Sequence, residues 1–119
     1  MASFKESITN PADYTAEMDA QDINDNKVMA VLAYFGLLFL IPLLAAKESK
    51  FARFHTNQGI VLFIVSIIAS IISVIPIIGW IIGGLAGLCT FILLILGIAN
   101  AVQGKAKDLP LIGSFRILK

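Results

Sequence analysis

The sequence predicts an all-α integral membrane protein with three transmembrane helices, the last two forming an antiparallel helical hairpin. Three observations lead there. Hydrophobic residues make up 58% of the 119-residue chain and charged residues only 14%, against about 45–50% and about 25% in soluble domains. The mean hydropathy is +0.89, and so small a soluble fold could not bury that much apolar surface. Charge is confined to three places: residues 1–27, a connector at residues 47–59, and the stretch after Val102.

Residues 1–27 carry two lysines against six carboxylates and few large apolar groups. That composition, with Pro11 and repeated Asp and Asn, predicts an acidic, solvated N-terminal tail without regular structure. No apolar h-region precedes the first span, so a signal peptide is not expected. Asp22, Asn24 and Asn26 are spaced like the start of a calcium loop. However, Lys27 stands where such a loop needs glycine, and Ala33 where it needs glutamate. Asn24 or Asp25 is expected to cap the helix that follows.

Residues 28–46 are nineteen consecutive residues without charge. As one helix they would extend about 28 Å, close to the ~30 Å hydrocarbon core. Pro42 removes one intrahelical hydrogen bond and predicts a kink near residues 38–42. Tyr34 falls toward the first end, where an amphipathic ring suits the membrane interface.

After the connector, Cys89 is the only ionisable side chain between His55 and Lys105. A single helix over 58–103 would extend about 69 Å, so the chain must turn back. Pro76 and Gly79 break it there, and Trp80 supplies an interfacial anchor. The spans are thus about 28–46, 56–75 and 80–103. Three spans put the N-terminus and the Pro76–Trp80 turn on one side, with two Lys or Arg residues. The connector and C-terminus share the other, with seven. The positive-inside rule then makes the topology N-out, C-in across a bacterial inner membrane.

Small residues mark packing faces. Gly79, Gly83 and Gly87 form two overlapping GxxxG units, and the face continues through Thr90, Leu94, Gly97 and Ala101. Ser66, Ser70 and Ser73 line one face of the second span beside Ala69. Helices in bilayers associate through close backbone approach, so these faces are expected to meet within one hairpin. Cys89 cannot form an intramolecular disulfide, and it is expected to be a small core residue. The final segment, 109–119, is too short to span. Apolar Phe115, Ile117 and Leu118 alternate there with Arg116 and Lys119, which suits an interfacial segment with snorkelling basic groups.

Chemistry is sparse. One histidine and one remote cysteine do not make a metal site, and no nucleophile–base arrangement or phosphate loop is present. No cofactor is implied. No Asp, Glu, Lys or Arg lies within a span, which weighs against a pump or coupled transporter. The small basic excess gives no case for nucleic acid. One polar constellation remains at the membrane boundary: Arg53, His55, Asn57 and Gln58 beginning the second span, Asn100 and Gln103 ending the third. It is expected to clamp the hairpin register or to contact a partner protein or lipid headgroup.

Three stretches carry a family resemblance: Ala33-Tyr-Phe-Gly-Leu-Leu38 with Ile41-Pro42, Phe51-Ala-Arg-Phe-His-Thr-Asn-Gln-Gly59, and Gly97-Ile-Ala-Asn-Ala-Val-Gln-Gly-Lys105 with Leu109-Pro-Leu-Ile-Gly113. Residues 28–119 thereby resemble small bacterial membrane proteins related to the twenty-kilodalton component of the chloroplast inner-envelope protein-import translocon. The resemblance implies an all-helical, membrane-embedded fold and no catalytic residues. The expected function is a non-enzymatic inner-membrane protein, a structural or accessory component of protein translocation or membrane assembly. The alternative is a self-associating pore-former, holin-like or a small passive channel. The expected partners are the lipid bilayer and either another membrane protein or further copies of the chain.

Overall fold

In the computed structural model, residues 12–113 and 116–118 are described, and they contain four α-helices. The two longest make the predicted antiparallel hairpin. α3 (Lys50–Ile72) and α4 (Ile78–Val102) are the two helices long and apolar enough to cross a membrane among the described residues. Their 23 and 25 residues correspond to about 34 and 37 Å. α3 begins six residues before the expected start of the second span, because its N-terminus is set by a cap and not by the onset of hydrophobicity. The Ser49 hydroxyl accepts from the Ala52 amide at 3.0 Å.

The turn between them is tight. Ile77 sits at φ 63° and ψ −72°, and the Ile78 amide donates to the Pro76 carbonyl at 2.8 Å. That is a classic γ-turn, a rare and strained conformation for a β-branched residue. The same device recurs at Leu111, at φ 73°, with the Ile112 amide donating to the Pro110 carbonyl at 2.9 Å. Both sites read Pro-apolar-Ile-Gly, residues 76–79 and 110–113.

The first expected span departs from a single helix. Residues 28–32 finish α1 (Ala20–Leu32), a 3-10 turn covers Gly36–Phe39, and α2 (Leu40–Ala45) follows. Gly36 adopts φ 58° at the break, a conformation that costs glycine little. Pro42 is the third residue of α2, in the first turn, where a missing N–H costs no hydrogen bond. The break therefore precedes the expected kink site, and Pro42 starts a new helix. Tyr34 is buried.

Residues 12–27 carry regular structure; residues 1–11 lie outside the described residues. A 3-10 turn at Thr15–Glu17 leads into α1, which is kinked at Asn26. There the side-chain amide donates to the Asp22 carboxylate at 2.9 Å. The helix is preceded by Asp19, so neither Asn24 nor Asp25 is its cap. Asp22 serves α3 instead, accepting from the Ser49 hydroxyl at 2.5 Å and the Phe51 amide at 3.0 Å.

The buried core lies at one end of the hairpin. Ala30, Ala33 and Tyr34 pack there with Phe51, Leu62, Leu93, Ala101, Ala106 and Leu109. Away from it, α4 is largely exposed apolar surface, and Cys89 is on the outside instead of in a core. The tightest interhelical approach is at Gly59, where an added Cβ would lie 1.9 Å from the Ala33 carbonyl oxygen. At Gly87 it would meet nothing within 4 Å. Gly59→Ala is expected to destabilise the protein by about 1–3 kcal/mol through overpacking. Gly87→Ala should be neutral or stabilising by up to about 1 kcal/mol through helix propensity. Thermal unfolding in mild detergent checks both, and equal midpoints would contradict this packing.

Candidate functional site

The polar constellation at the connector is built on the first two turns of α3. His55, Thr56, Asn57 and Gln58 are consecutive and all buried, a placement that is costly unless every polar atom finds a partner. Their partners are mostly the backbone of the segment after α4. His55 Nε2 lies 2.7 Å from the Lys105 carbonyl and Nδ1 lies 2.6 Å from the Tyr34 hydroxyl. The carbonyl only accepts, so Nε2 carries the ring proton and Nδ1 of the neutral ring accepts from Tyr34. Phe51, Phe54 and Tyr34 surround the imidazole edge-on at centroid distances of 4.9–5.6 Å.

Gln58 uses both ends of its amide. Oε1 accepts from the Leu109 amide at 3.0 Å, and Nε2 donates to the Gly113 carbonyl at 2.9 Å and, at 3.5 Å, to Asp108. Asn57 Oδ1 accepts from the amides of Ile117 and Leu118 at 2.6 and 3.0 Å. Thr56 bonds back to the Ala52 carbonyl of its own helix at 2.7 Å. These bonds tie the described residues of the segment, 105–113 and 116–118, to α3; Ser114, Phe115 and Lys119 lie outside the described residues.

Two of the expected contacts take other forms. Asn100 donates to the Lys107 carbonyl at 3.3 Å, from α4 to the segment that follows it. Gln103 is exposed. Arg53 lines a cavity of about 420 Å³ with Tyr14, Met18, Phe54, Arg116 and Leu118. Arg116 lies over the Tyr14 and Phe54 rings at 5.4 and 5.6 Å and pairs with Asp108 at 2.9 Å. Burial pushes the Asp108 carboxyl above the usual carboxylate range, and the Arg116 guanidinium draws it part of the way back.

The N-terminal segment joins the same head. The Tyr14 amide donates to the Ala106 carbonyl at 2.7 Å, and the Asp108 amide to the Ala12 carbonyl at 2.8 Å. The Thr15 hydroxyl accepts from the Ala106 amide at 3.0 Å. Thr15, through its hydroxyl and amide, holds the Asp13 carboxyl below the usual range.

The small-residue faces meet in part. A Cβ at Gly83 would lie 2.5 Å from that of Ser73, and one at Gly79 would lie 2.3 Å from the Ile72 carbonyl oxygen. Gly97 packs against the ring of Tyr34, at 2.3 Å by the same measure. The hydroxyls of Ser66, Ser70, Ser73 and Thr90 all bond to carbonyls of their own helices. The groups absent from the sequence-derived constellation are Tyr34, Asp22, Gly59, Asp108 and Arg116. Only the Ser49 cap had a local signal; the others are recognised by contacts distant in sequence.

Gln58→Leu keeps the side chain's volume but strands the Leu109 amide and leaves the Gly113 carbonyl with Arg116 as its side-chain donor. A loss of about 1–3 kcal/mol is expected from the one unsatisfied buried amide. It should be read as a lower thermal midpoint with new proteolysis within residues 105–118. An unchanged midpoint and digestion pattern would remove Gln58 from this role.

Residues 25–118 match a family described as the magnetosome magnetite crystal formation protein family. The chain is 33% identical over 88 residues to magnetosome protein MamF of Paramagnetospirillum magneticum, covering 74% of this chain and 79% of that protein. It is 33% identical over 85 residues to magnetosome protein MmsF of the same organism, covering 71% and 79%. Identity is 38% over 98 residues with the UPF0132 membrane protein MJ1443 of Methanocaldococcus jannaschii, covering 75% and 83%. No solved structure matches the chain. These matches overturn the resemblance to the chloroplast import component. The stretches that suggested it, 33–42, 51–59 and 97–113, all fall inside the matched region. With relatives that are themselves membrane proteins and two helices long enough to span, the chain is a membrane protein and belongs to the magnetosome magnetite crystal formation family.

Proposed function

We propose that this chain is a non-enzymatic accessory protein of a prokaryotic membrane, anchored by the α3–α4 hairpin and presenting a rigid polar head at one face. The observation that carries this reading is how the buried polar groups of α3 are used. Both ring nitrogens of His55, both amide atoms of Gln58 and the Oδ1 of Asn57 are engaged by Tyr34 and by backbone groups between Lys105 and Leu118. A general base or a nucleophile's partner needs a free bonding direction toward substrate. These side chains point theirs at their own chain, which suits a structural role.

The same contacts support a two-span topology in place of the N-out, C-in arrangement. Asp22 touches Ser49 and Phe51, and Tyr14 touches Ala106. The N-terminal segment, the connector and the segment after α4 would then share one face. Residues 28–46 would enter the membrane and return without crossing. All nine Lys and Arg residues fall in those three regions, and the positive-inside rule makes that face cytoplasmic. Crystal formation is the setting named for the family, and in that setting the chain would organise the membrane around the mineral.

Single cysteines in a Cys89→Ser background test the topology. Ala16→Cys, Glu48→Cys and Gln103→Cys should react with an impermeant maleimide from one face, and Ile75→Cys only from the other. Labelling of Ala16→Cys from the face of Ile75→Cys would sink the arrangement. The accessory role is tested by expressing the chain in Paramagnetospirillum magneticum cells lacking MamF and MmsF. Wild type and a folded His55→Gln variant should restore crystal formation equally. Rescue by wild type alone would assign chemistry to His55, and rescue by neither would remove the crystal-forming role.

A further inference from the structure

The apolar surface of this protein is not distributed evenly along the hairpin. On α4, exposed large apolar residues run from Ile78 to Leu96, nineteen positions or about 28 Å, the depth of one hydrocarbon core, with Val102 exposed beyond them. On α3 they run only from Ile64 to Ile71, continuing into the turn at Val74 and Ile75. Toward the head, α3 is covered. At that level the exposed apolar residues, besides those of α4, include Phe35, Leu37, Leu38, Leu40, Ile41 and Leu44 of the broken first segment. Leu37 and Leu44 are 64% and 66% exposed.

Contacts fix how deep this segment reaches. Ala33 abuts Gly59, and Phe39 stacks on Phe63 with ring centroids 5.5 Å apart. Gly36 shares a cavity with Gly59, Phe63 and Ser66. From Gly59 to Ser66 is about 10 Å along α3, within the ~15 Å of one leaflet. The segment then returns, because Ser49 bonds Asp22 back at the head. The head-side half of the apolar belt therefore holds four chain segments: the end of α1, the 3-10 turn with α2, α3 and α4. The far half holds only α3 and α4.

We infer that the chain is a one-leaflet wedge: residues 33–46, packed on Gly59 and Phe63, widen it in the head-side leaflet, so that it favours and promotes membrane convex on the head's side. The inference rests on the two-span topology proposed above. The occupant of the exposed 35–44 surface is the lipid of the head-side leaflet, because that surface completes the belt that α4 presents to the bilayer. Extra cross-section in one leaflet relieves packing strain when that leaflet is the outer one of a curved membrane. Shallow apolar insertions are curvature-sensitive for the same reason. A vesicle or invagination budding toward the head's side is the membrane such a wedge fits.

The test uses the full chain in Cys89→Ser form, reconstituted into phosphatidylethanolamine–phosphatidylglycerol vesicles of about 50 nm and about 400 nm diameter, where curvature differs strongly. Impermeant maleimide labelling of Gln103→Cys reads the head-out fraction. The ratio of head-out to head-in molecules should be at least about twofold higher in the small vesicles. The paired variant Leu37→Asn with Leu44→Asn, altering only exposed side chains, should lower that ratio toward the large-vesicle value. Insertion is measured separately with Leu38→Trp in a Trp80→Phe background, whose fluorescence should be quenched by lipids brominated on the acyl chains. A ratio that ignores vesicle diameter, or an unquenched Trp, overturns the wedge. Labelling Ala16→Cys and Ile75→Cys in the same vesicles separates the cases. If those sites still lie on opposite faces, the wedge alone has failed; if they share a face, the topology has failed with it.

Discussion

A backbone that is neither helix nor sheet must still find partners for its N–H and C=O groups once it is buried. Much of the segment after α4 is in that position, with Ala106, Asp108, Leu109 and Gly113 buried, and one turn of α3 answers it. Gln58 spans Leu109 and Gly113, Asn57 gathers Ile117 and Leu118, and His55 takes the Lys105 carbonyl. The rest of the head follows from this contact. With the segment held down, Ala106 and Leu109 become core residues and the strand-like pairing with residues 12–14 has a template. Tyr34 closes the set, because the Nδ1 of His55 needs a donor that only a buried hydroxyl supplies there.

The same residues explain why the first apolar segment does not cross as a rod. Tyr34 must reach His55, and Gly59 must receive the Ala33 backbone, so the end of α1 is held against α3 near the head. A continuous helix from Val28 would carry residues 36–46 onward to the far end of the hairpin. The break at Gly36 returns them to the head, where Asp22 and Ser49 meet. Polar satisfaction at one end of the hairpin thus decides the shape of the apolar belt beside it. The strain accepted at Ile77 and Leu111 has the same logic, since both γ-turns reverse the chain where a longer loop would loosen the packing.

The family places this shape in membranes, in two relatives named for magnetosomes and in archaeal relatives whose names say only that they are membrane proteins. A head built on the chain's own hydrogen bonds and a hairpin clothed in apolar side chains suit the accessory work proposed above. The stiffness of the head matters for that work. Its edge-on aromatic cluster around His55 and the Arg116–Asp108 pair leave little freedom between the N-terminal segment and residues 105–118.

Composition and the spacing of breakers determined the membrane class, the α3–α4 hairpin and the place of its turn, because hydrophobic length and Pro or Gly act locally. The connector stood out as the polar focus for the same reason: four polar residues in a row before an apolar run are visible without any fold. Tertiary structure alone decided what His55, Asn57 and Gln58 hold, since their partners lie 21 to 61 positions away. It also decided the fate of residues 28–46. Their length and hydropathy fit a spanning helix, and nothing local says that Tyr34 will be claimed by His55. Asp22 was unreadable as a cap for α3 because the helix it serves begins 28 residues later. Local chemistry chose the elements; the satisfaction of buried polar groups chose their arrangement.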